Sequence, residues 1–166
     1  MMRTLLFLMA GSLSAQLPPG LGRGYLGELE HTGRQTLELA AAMPEEKYSW
    51  RPAPGIMSVA EVYTHVYVGT FMLLDQAGHK PPKDLVTKPK TKAEIVAGLK
   101  RSLEAVRVFY EGTSAQEMQR PVKLWGSADT KVEGVYLRIL AHISEHMGQS
   151  IAYARMNGVA PPWSKP

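Results

Sequence analysis

The chain has 166 residues, of which 45% are apolar and 20% charged, a size and composition that suit one globular domain with its own core. Its net charge of +4 comes from the segment 80–101, where seven basic residues accompany two acidic ones. Aromatic residues do not alternate with these basic residues, so we expect a solvated segment and no nucleic-acid partner. The absence of cysteine excludes disulfides and thiolate ligands.

Residues 1–15 predict a signal peptide. Arg3 supplies a charged start, an apolar run follows to Ala10, and the small residues from Ser12 to Ala15 suit cleavage by a signal peptidase. The apolar run is too short to cross a bilayer, so we expect no stable membrane span. The sequence thus predicts an exported domain at 16–166, in the periplasm or secreted. The alternative is a retained N-terminal extension on a cytoplasmic protein.

Two amphipathic helices are predicted in the first half of the chain. The first runs from about Leu21 to Met43, and His31 falls on its polar face, where we expect it to be solvated. The second follows a capping box formed by Ser58 and Glu61 and continues to about residue 77.

The second helix is apolar on more than one side. Val68, Phe71 and Met72 lie off its main apolar stripe. A helix with this pattern is usually packed on more than one side. We therefore expect a second partner for this helix, and a homodimer is the simplest one.

Two further helices are predicted in the second half. A loop at 78–90, in which His79 is expected to be exposed, leads to a capping box at Thr91 and a helix to about Glu111. Residues 122–130 predict a loop or at most a short extended piece, and the last helix covers Val132–Asn157. Four amphipathic helices without strand-like alternation predict an all-α fold, a four-helix bundle.

Three histidines are candidate metal ligands. His142 and His146 are four residues apart, so their side chains lie on the same side of the last helix. A third ligand must come from another helix, and His65, close to Gly69 on the second helix, is the candidate. Three imidazole nitrogens would suit zinc, nickel, iron(II) or copper(II) and leave coordination positions open. The alternative is that these histidines are hydrogen-bonded core residues.

The same segment matches the H-x-x-E-H signature of inverted zinc proteases, in which the glutamate is the general base. Glu145 points away from the two histidines, and the chain has no spare length for a peptide-binding subdomain. We therefore expect Glu145 to be a surface group or a neighbour of a ligand. Tyr63 and Tyr153 are the other candidate neighbours.

Two groups of motifs resemble the DinB-like family of small bacterial metal-binding proteins. One is Trp50-Arg-Pro-Ala-Pro-Gly55 with the capping box at Ser58 and with His65; the other is the segment from Leu140 to Gln149 with the ending from Tyr153 to Pro162. The resemblance covers about residues 21–162. It implies a four-helix bundle with a long crossover connection, frequent homodimers, and a divalent metal held by three histidines. Position by position, these ligands are His65, His142 and His146.

Two function hypotheses follow. The first is a metal-dependent enzyme, a hydrolase or, as in some members of the family, a thiol-dependent transferase, with zinc, nickel or iron as cofactor and an unidentified small-molecule substrate. The second is a non-catalytic metal-binding or interaction protein, in which the ion is structural. The two hypotheses differ in the coordination of the ion. A catalytic site keeps an open coordination position, whereas a structural site is closed by a fourth protein ligand.

Overall fold

The computed structural model describes residues 20–164. The predicted signal peptide at 1–15 lies outside the described residues. In chain order the elements are α1 (Gly24–Ala42), a short 3-10 helix (Glu45–Lys47), α2 (Val59–Gln76), α3 (Lys92–Gly112), α4 (Ala115–Met118), β1 (Pro121–Leu124), β2 (Ala128–Lys131) and α5 (Val132–Met156).

The four long helices form the predicted all-α bundle. α1 packs against α3 and α5, and α2 packs against the same two helices, so α1 and α2 are diagonal to each other. The connection at 43–58 therefore crosses one end of the bundle. The chain from α3 to α5 also passes between diagonal positions, through α4 and the two strands. As a result α2 and α5, which are far apart in sequence, lie side by side.

Both predicted capping boxes are present. The Ser58 hydroxyl accepts a hydrogen bond from the Glu61 backbone N–H, and the Glu61 carboxylate accepts one from the Ser58 N–H at 2.6 Å. Thr91 and Glu94 make the same reciprocal pair at the start of α3. These bonds satisfy backbone donors that a helix cannot satisfy itself, and so fix where α2 and α3 begin.

The second apolar side of α2 is largely covered by the chain itself. Phe71 is only 3% exposed and Val68 is half-buried, whereas Met72 remains 52% exposed. Because α3 and α5 both pack against α2, contacts within one chain explain why α2 has two apolar sides. The homodimer stays a prediction.

Two histidines expected in solvent are half-buried. His79 stacks on Phe109 with ring centroids 4.1 Å apart, and its Nε2 is 3.3 Å from the Tyr136 hydroxyl. The expectation that His79 is exposed was wrong because the start of the loop after α2 folds back against the bundle end, where Arg120 donates to the Ala77 carbonyl. His31 is also half-buried.

A small hairpin occupies the segment expected to be a loop or short extended piece. β1 and β2 pair antiparallel, with Val122 opposite Thr130 and Leu124 opposite Ala128. Each strand has only four residues, and β1 begins with Pro121. Such short runs carry too little alternation to predict pairing, so the sequence indicated the extended backbone but not the partner strand.

Within residues 20–164, no helix combines the length and the apolar character needed to cross a membrane.

Candidate metal centre

The three predicted ligand histidines form one cluster between α2 and α5. The Nε2 atoms of His65 and His142 are 3.0 Å apart. The ring centroids of His146 lie 4.7 Å from His65 and 4.8 Å from His142, and one ligand nitrogen from each residue lies within 4.8 Å of the others. The three imidazoles therefore face a common point.

A glycine allows this close approach. His142 projects from α5 against the backbone of α2 at Gly69, one turn after His65. A Cβ built on Gly69 would be 2.8 Å from the His142 Cε1 atom, closer than real Cβ contacts. The absence of a side chain at position 69 thus makes space for the His142 ring.

A chain of hydrogen bonds orients His146. Its Nδ1 is 2.8 Å from the Gln149 Oε1, the Gln149 amide donates to the Tyr153 hydroxyl at 2.9 Å, and this hydroxyl donates to the Met57 carbonyl at 3.1 Å. Trp50 packs edge-on against the Tyr153 ring. If His146 donates its Nδ1 proton to Gln149, its Nε2 is free to bind an ion, a common arrangement for metal-binding histidines.

Two of the three histidines have lowered pKa values. Desolvation, together with the neighbouring His146 and His65, lowers the pKa of His142 to about 4. Desolvation and His146 also lower the pKa of His65. Neutral imidazole is the form that binds metal, so protons compete weakly for these two residues at neutral pH.

The cluster opens into a cleft of about 820 Å³. Its walls come from α2, α5, the loop before α3 and the turn of the hairpin, and include Val68, Met72, Lys88, Trp125 and Arg138. Glu145 also lines the cleft and is paired with Arg138 at 2.6 Å, a contact that lowers the pKa of the Glu145 carboxyl. In a protease of the H-x-x-E-H type, the glutamate at this position would be the general base. Here Glu145 is instead ion-paired with Arg138.

The family of this chain is assigned by its match to a family model. The model of the DinB superfamily matches residues 28–150, which include all three histidines. The chain belongs to the DinB superfamily. The comparison with curated proteins finds no match for this member.

Solved structures show the same fold. A DinB-like protein from Bacillus cereus ATCC 10987 has a TM-score of 0.73 at 17% identity, over 86% of this DinB-superfamily chain and 97% of its own. A DinB-like protein from Bacillus subtilis has a TM-score of 0.66 at 17% identity, over 81% and 92%. A protein assigned to the DinB family from Exiguobacterium sibiricum 255-15 has a TM-score of 0.63 at 21% identity, over 86% and 96%. These similarities confirm the fold.

The donor set of this DinB-superfamily member fits a divalent ion. Nitrogen donors on one zinc ion with bonds of about 2.0–2.1 Å are about 3.4 Å apart in a tetrahedral site. The Nε2 atoms of His65 and His142 are 3.0 Å apart and the three ligand nitrogens all lie within 4.8 Å of one another, so rotations of the rings would bring them to this spacing. In the described part of the chain the group of potential ligands has three members, which leaves at least one position for a ligand from the cleft.

The sequence predicted the three histidines and Tyr153 but missed Gln149. Its position three residues after His146, on the same face of α5, was the available signal. Tyr63 is a buried residue of α2, and the Ser150 hydroxyl on α5 donates to the His146 carbonyl. Glu145 is exposed, as expected.

Proposed function

We propose that this DinB-superfamily protein binds one divalent transition-metal ion through His65, His142 and His146 and uses it as a catalytic cofactor. The observation that carries the proposal is the convergence of three imidazoles, from two helices, at an open cleft. Zinc, nickel and iron(II) are the candidate ions, because imidazole nitrogen is a good ligand for each.

The reaction is that of a metal-dependent hydrolase or a thiol-dependent transferase. A bound divalent ion with an open position supplies Lewis-acid chemistry, which polarises a carbonyl or activates water or a thiol. The protein residues hold the ion and orient its ligands, and the cleft admits the substrate. A volume of about 820 Å³ supports a small-molecule substrate, since such sites usually measure about 300–1,000 Å³.

The second candidate is a non-catalytic protein that uses the ion as a structural clip between α2 and α5. A structural site is normally closed by four protein ligands. Within residues 20–164 the cluster offers three, and it faces the cleft, which supports the catalytic alternative.

Export and dimer formation are part of the proposal. The pattern of residues 1–15 supports export to the periplasm or the medium. The resemblance to the DinB-like family, in which homodimers are frequent, supports a homodimer. Mass determination of the secreted protein would check the cleavage after Ala15, and light scattering would give the number of subunits.

The decisive experiment compares the wild type with His142→Ala. Each protein is loaded separately with zinc, nickel or iron(II), its metal content is measured, and it is assayed with ester substrates and with thiol-transfer substrates. His31→Gln is the matched control, because His31 lies on α1 and outside the cleft. We expect His142→Ala to lose both metal and activity while the control keeps them. An active His142→Ala variant, or a metal-loaded wild type without activity, would refute the catalytic role.

A further inference from the structure

The turn of the hairpin holds a tryptophan in an unfavourable backbone conformation. The Ser127 N–H donates to the Leu124 carbonyl at 3.1 Å, and the two central residues of this turn, Trp125 and Gly126, have φ of 53° and 74°. Positive φ at both central positions is the pattern of a type I′ turn, where Asn, Asp or Gly normally takes the first position. Trp125 is the one residue other than glycine with positive φ among residues 20–164.

Packing does not explain why tryptophan is present there. Its side chain is 58% exposed, so it contributes little to the core. A bulky residue in this region of φ is strained, and such strain is characteristic of functional sites. Asparagine would suit the turn better, so folding alone favours a different residue at this position.

The exposed ring borders the cleft that contains the three histidines. Met72, which is 52% exposed, and Val68 line the same cleft from α2. The cleft therefore has an apolar wall beside a set of metal ligands. A concave space of small-molecule size, with a metal site in it, fits a ligand better than the broad surface of a second subunit.

We propose that Trp125 is a specificity-determining residue, which contacts the apolar body of a substrate whose polar head coordinates the metal. This inference rests on the proposed function, since it needs an ion with an open position at His65, His142 and His146. The substrate class is a small molecule with a metal-coordinating oxygen or sulfur group attached to an aromatic or hydrocarbon body. The indole ring of Trp125 contributes to substrate binding. It takes no part in proton transfer or in the making and breaking of bonds.

Two hydroxamates test the inference, because they share a metal-binding head and differ in the body. Acetohydroxamate carries a methyl group and benzohydroxamate a phenyl ring. Their dissociation constants are measured by calorimetry on zinc-loaded wild type and on Trp125→Asn. We expect the wild type to prefer benzohydroxamate about tenfold, the size of a well-formed aromatic contact, and Trp125→Asn to lose most of this preference. Affinity for acetohydroxamate should stay unchanged.

Met156→Asn is the matched control, because it removes a 63% exposed apolar side chain outside the cleft. It should keep the tenfold preference. We also expect the thermal midpoint of Trp125→Asn to equal or exceed that of the wild type, since asparagine suits the turn. A clear fall in this midpoint would make Trp125 a packing residue and overturn the inference.

The remaining outcomes separate the inference from the proposed function. If Trp125→Asn binds both hydroxamates as the wild type does, the inference fails and the metal site stands. If the zinc-loaded wild type binds neither hydroxamate, the open coordination position is refuted, and the inference falls with it. If Trp125→Asn changes the number of subunits in light scattering, the ring belongs to a dimer interface and the inference is overturned.

Discussion

The imidazole of His142 lies directly against the backbone of Gly69, where a Cβ would approach its Cε1 atom to 2.8 Å. Glycine inside a helix costs about 0.5–1 kcal/mol relative to alanine. Its presence in the middle of α2 is explained by the ring that packs on it. The position of the His142 ring therefore depends on a residue that has no side chain of its own.

Gly69→Ala should weaken metal binding about tenfold or more, because catalytic and ligand groups tolerate displacements of only about 0.5 Å. The added methyl group pushes His142 away from His65. Gly148→Ala is the matched control, since Gly148 lies inside α5 with open space at its Cβ position. Competition with a chromogenic chelator measures both affinities. Equal affinities in the two variants would show that the contact at Gly69 does not position the ligand.

Local patterns were sufficient to predict the helices and the pair of histidines on α5. The reciprocal pairs at Ser58 and Thr91 mark where α2 and α3 begin, because a capping box is a contact between residues three apart. The pair His142 and His146 is likewise visible from spacing. His65 required more: its position beside Gly69 and the family resemblance both indicated it, and the structure places it in the cluster.

Contacts between distant segments were not predictable in the same way. His79 stacks on Phe109, thirty residues later, and this contact leaves no periodic signal in a polar loop. The diagonal placement of α1 and α2 depends on how the connections cross the bundle ends, which loop length alone does not determine. The conformation of Trp125 was hidden for a related reason, because tryptophan is not a residue that predicts a type I′ turn.

His65→Ala should abolish the stabilisation of the protein by metal. His65 is the proposed ligand from α2, and the other two proposed ligands come from α5, so its loss should uncouple the ion from the contact between the helices. For the wild type, an ion at 100 times its dissociation constant should raise the free energy of unfolding by about 2.7 kcal/mol. Thermal melts with and without zinc measure the effect. His31→Gln should respond to zinc as the wild type does, and a zinc-dependent shift in His65→Ala would place the ion elsewhere.

Gln149→Leu should reduce metal affinity by about 10-fold to 100-fold, the usual effect of removing a partner that orients a metal-binding histidine. Leucine cannot accept the proton of His146 Nδ1, which Gln149 contacts at 2.8 Å. Gln149→Glu keeps an acceptor at this position and should retain most of the affinity. Competition with a chromogenic chelator measures the metal affinities of both variants. If leucine and glutamate behave alike, the hydrogen bond to Gln149 has no role in binding.

The metal-free protein should be less stable in mild acid than at neutral pH, in part because of the titration of His79. Burial lowers the pKa of His79 below its ordinary value of 6.5, Arg120 adds to this effect, and Glu117 opposes it. The unfolded chain therefore binds a proton more readily than the folded one. The contribution of His79 to stability is fully present above pH 6.5 and is lost as the pH falls below that value.

Urea unfolding of the metal-free protein between pH 7.5 and 5 measures this loss, in a range where carboxylates remain ionised. His65 and His142 also have lowered pKa values and contribute to the slope, so the wild type must be compared with a variant. His79→Phe preserves an aromatic ring to stack on Phe109 and removes the titrating group. We expect its stability to fall less over this range than that of the wild type. Parallel pH profiles would mean that His79 is protonated equally in the folded and unfolded chains, so that its burial does not affect its titration.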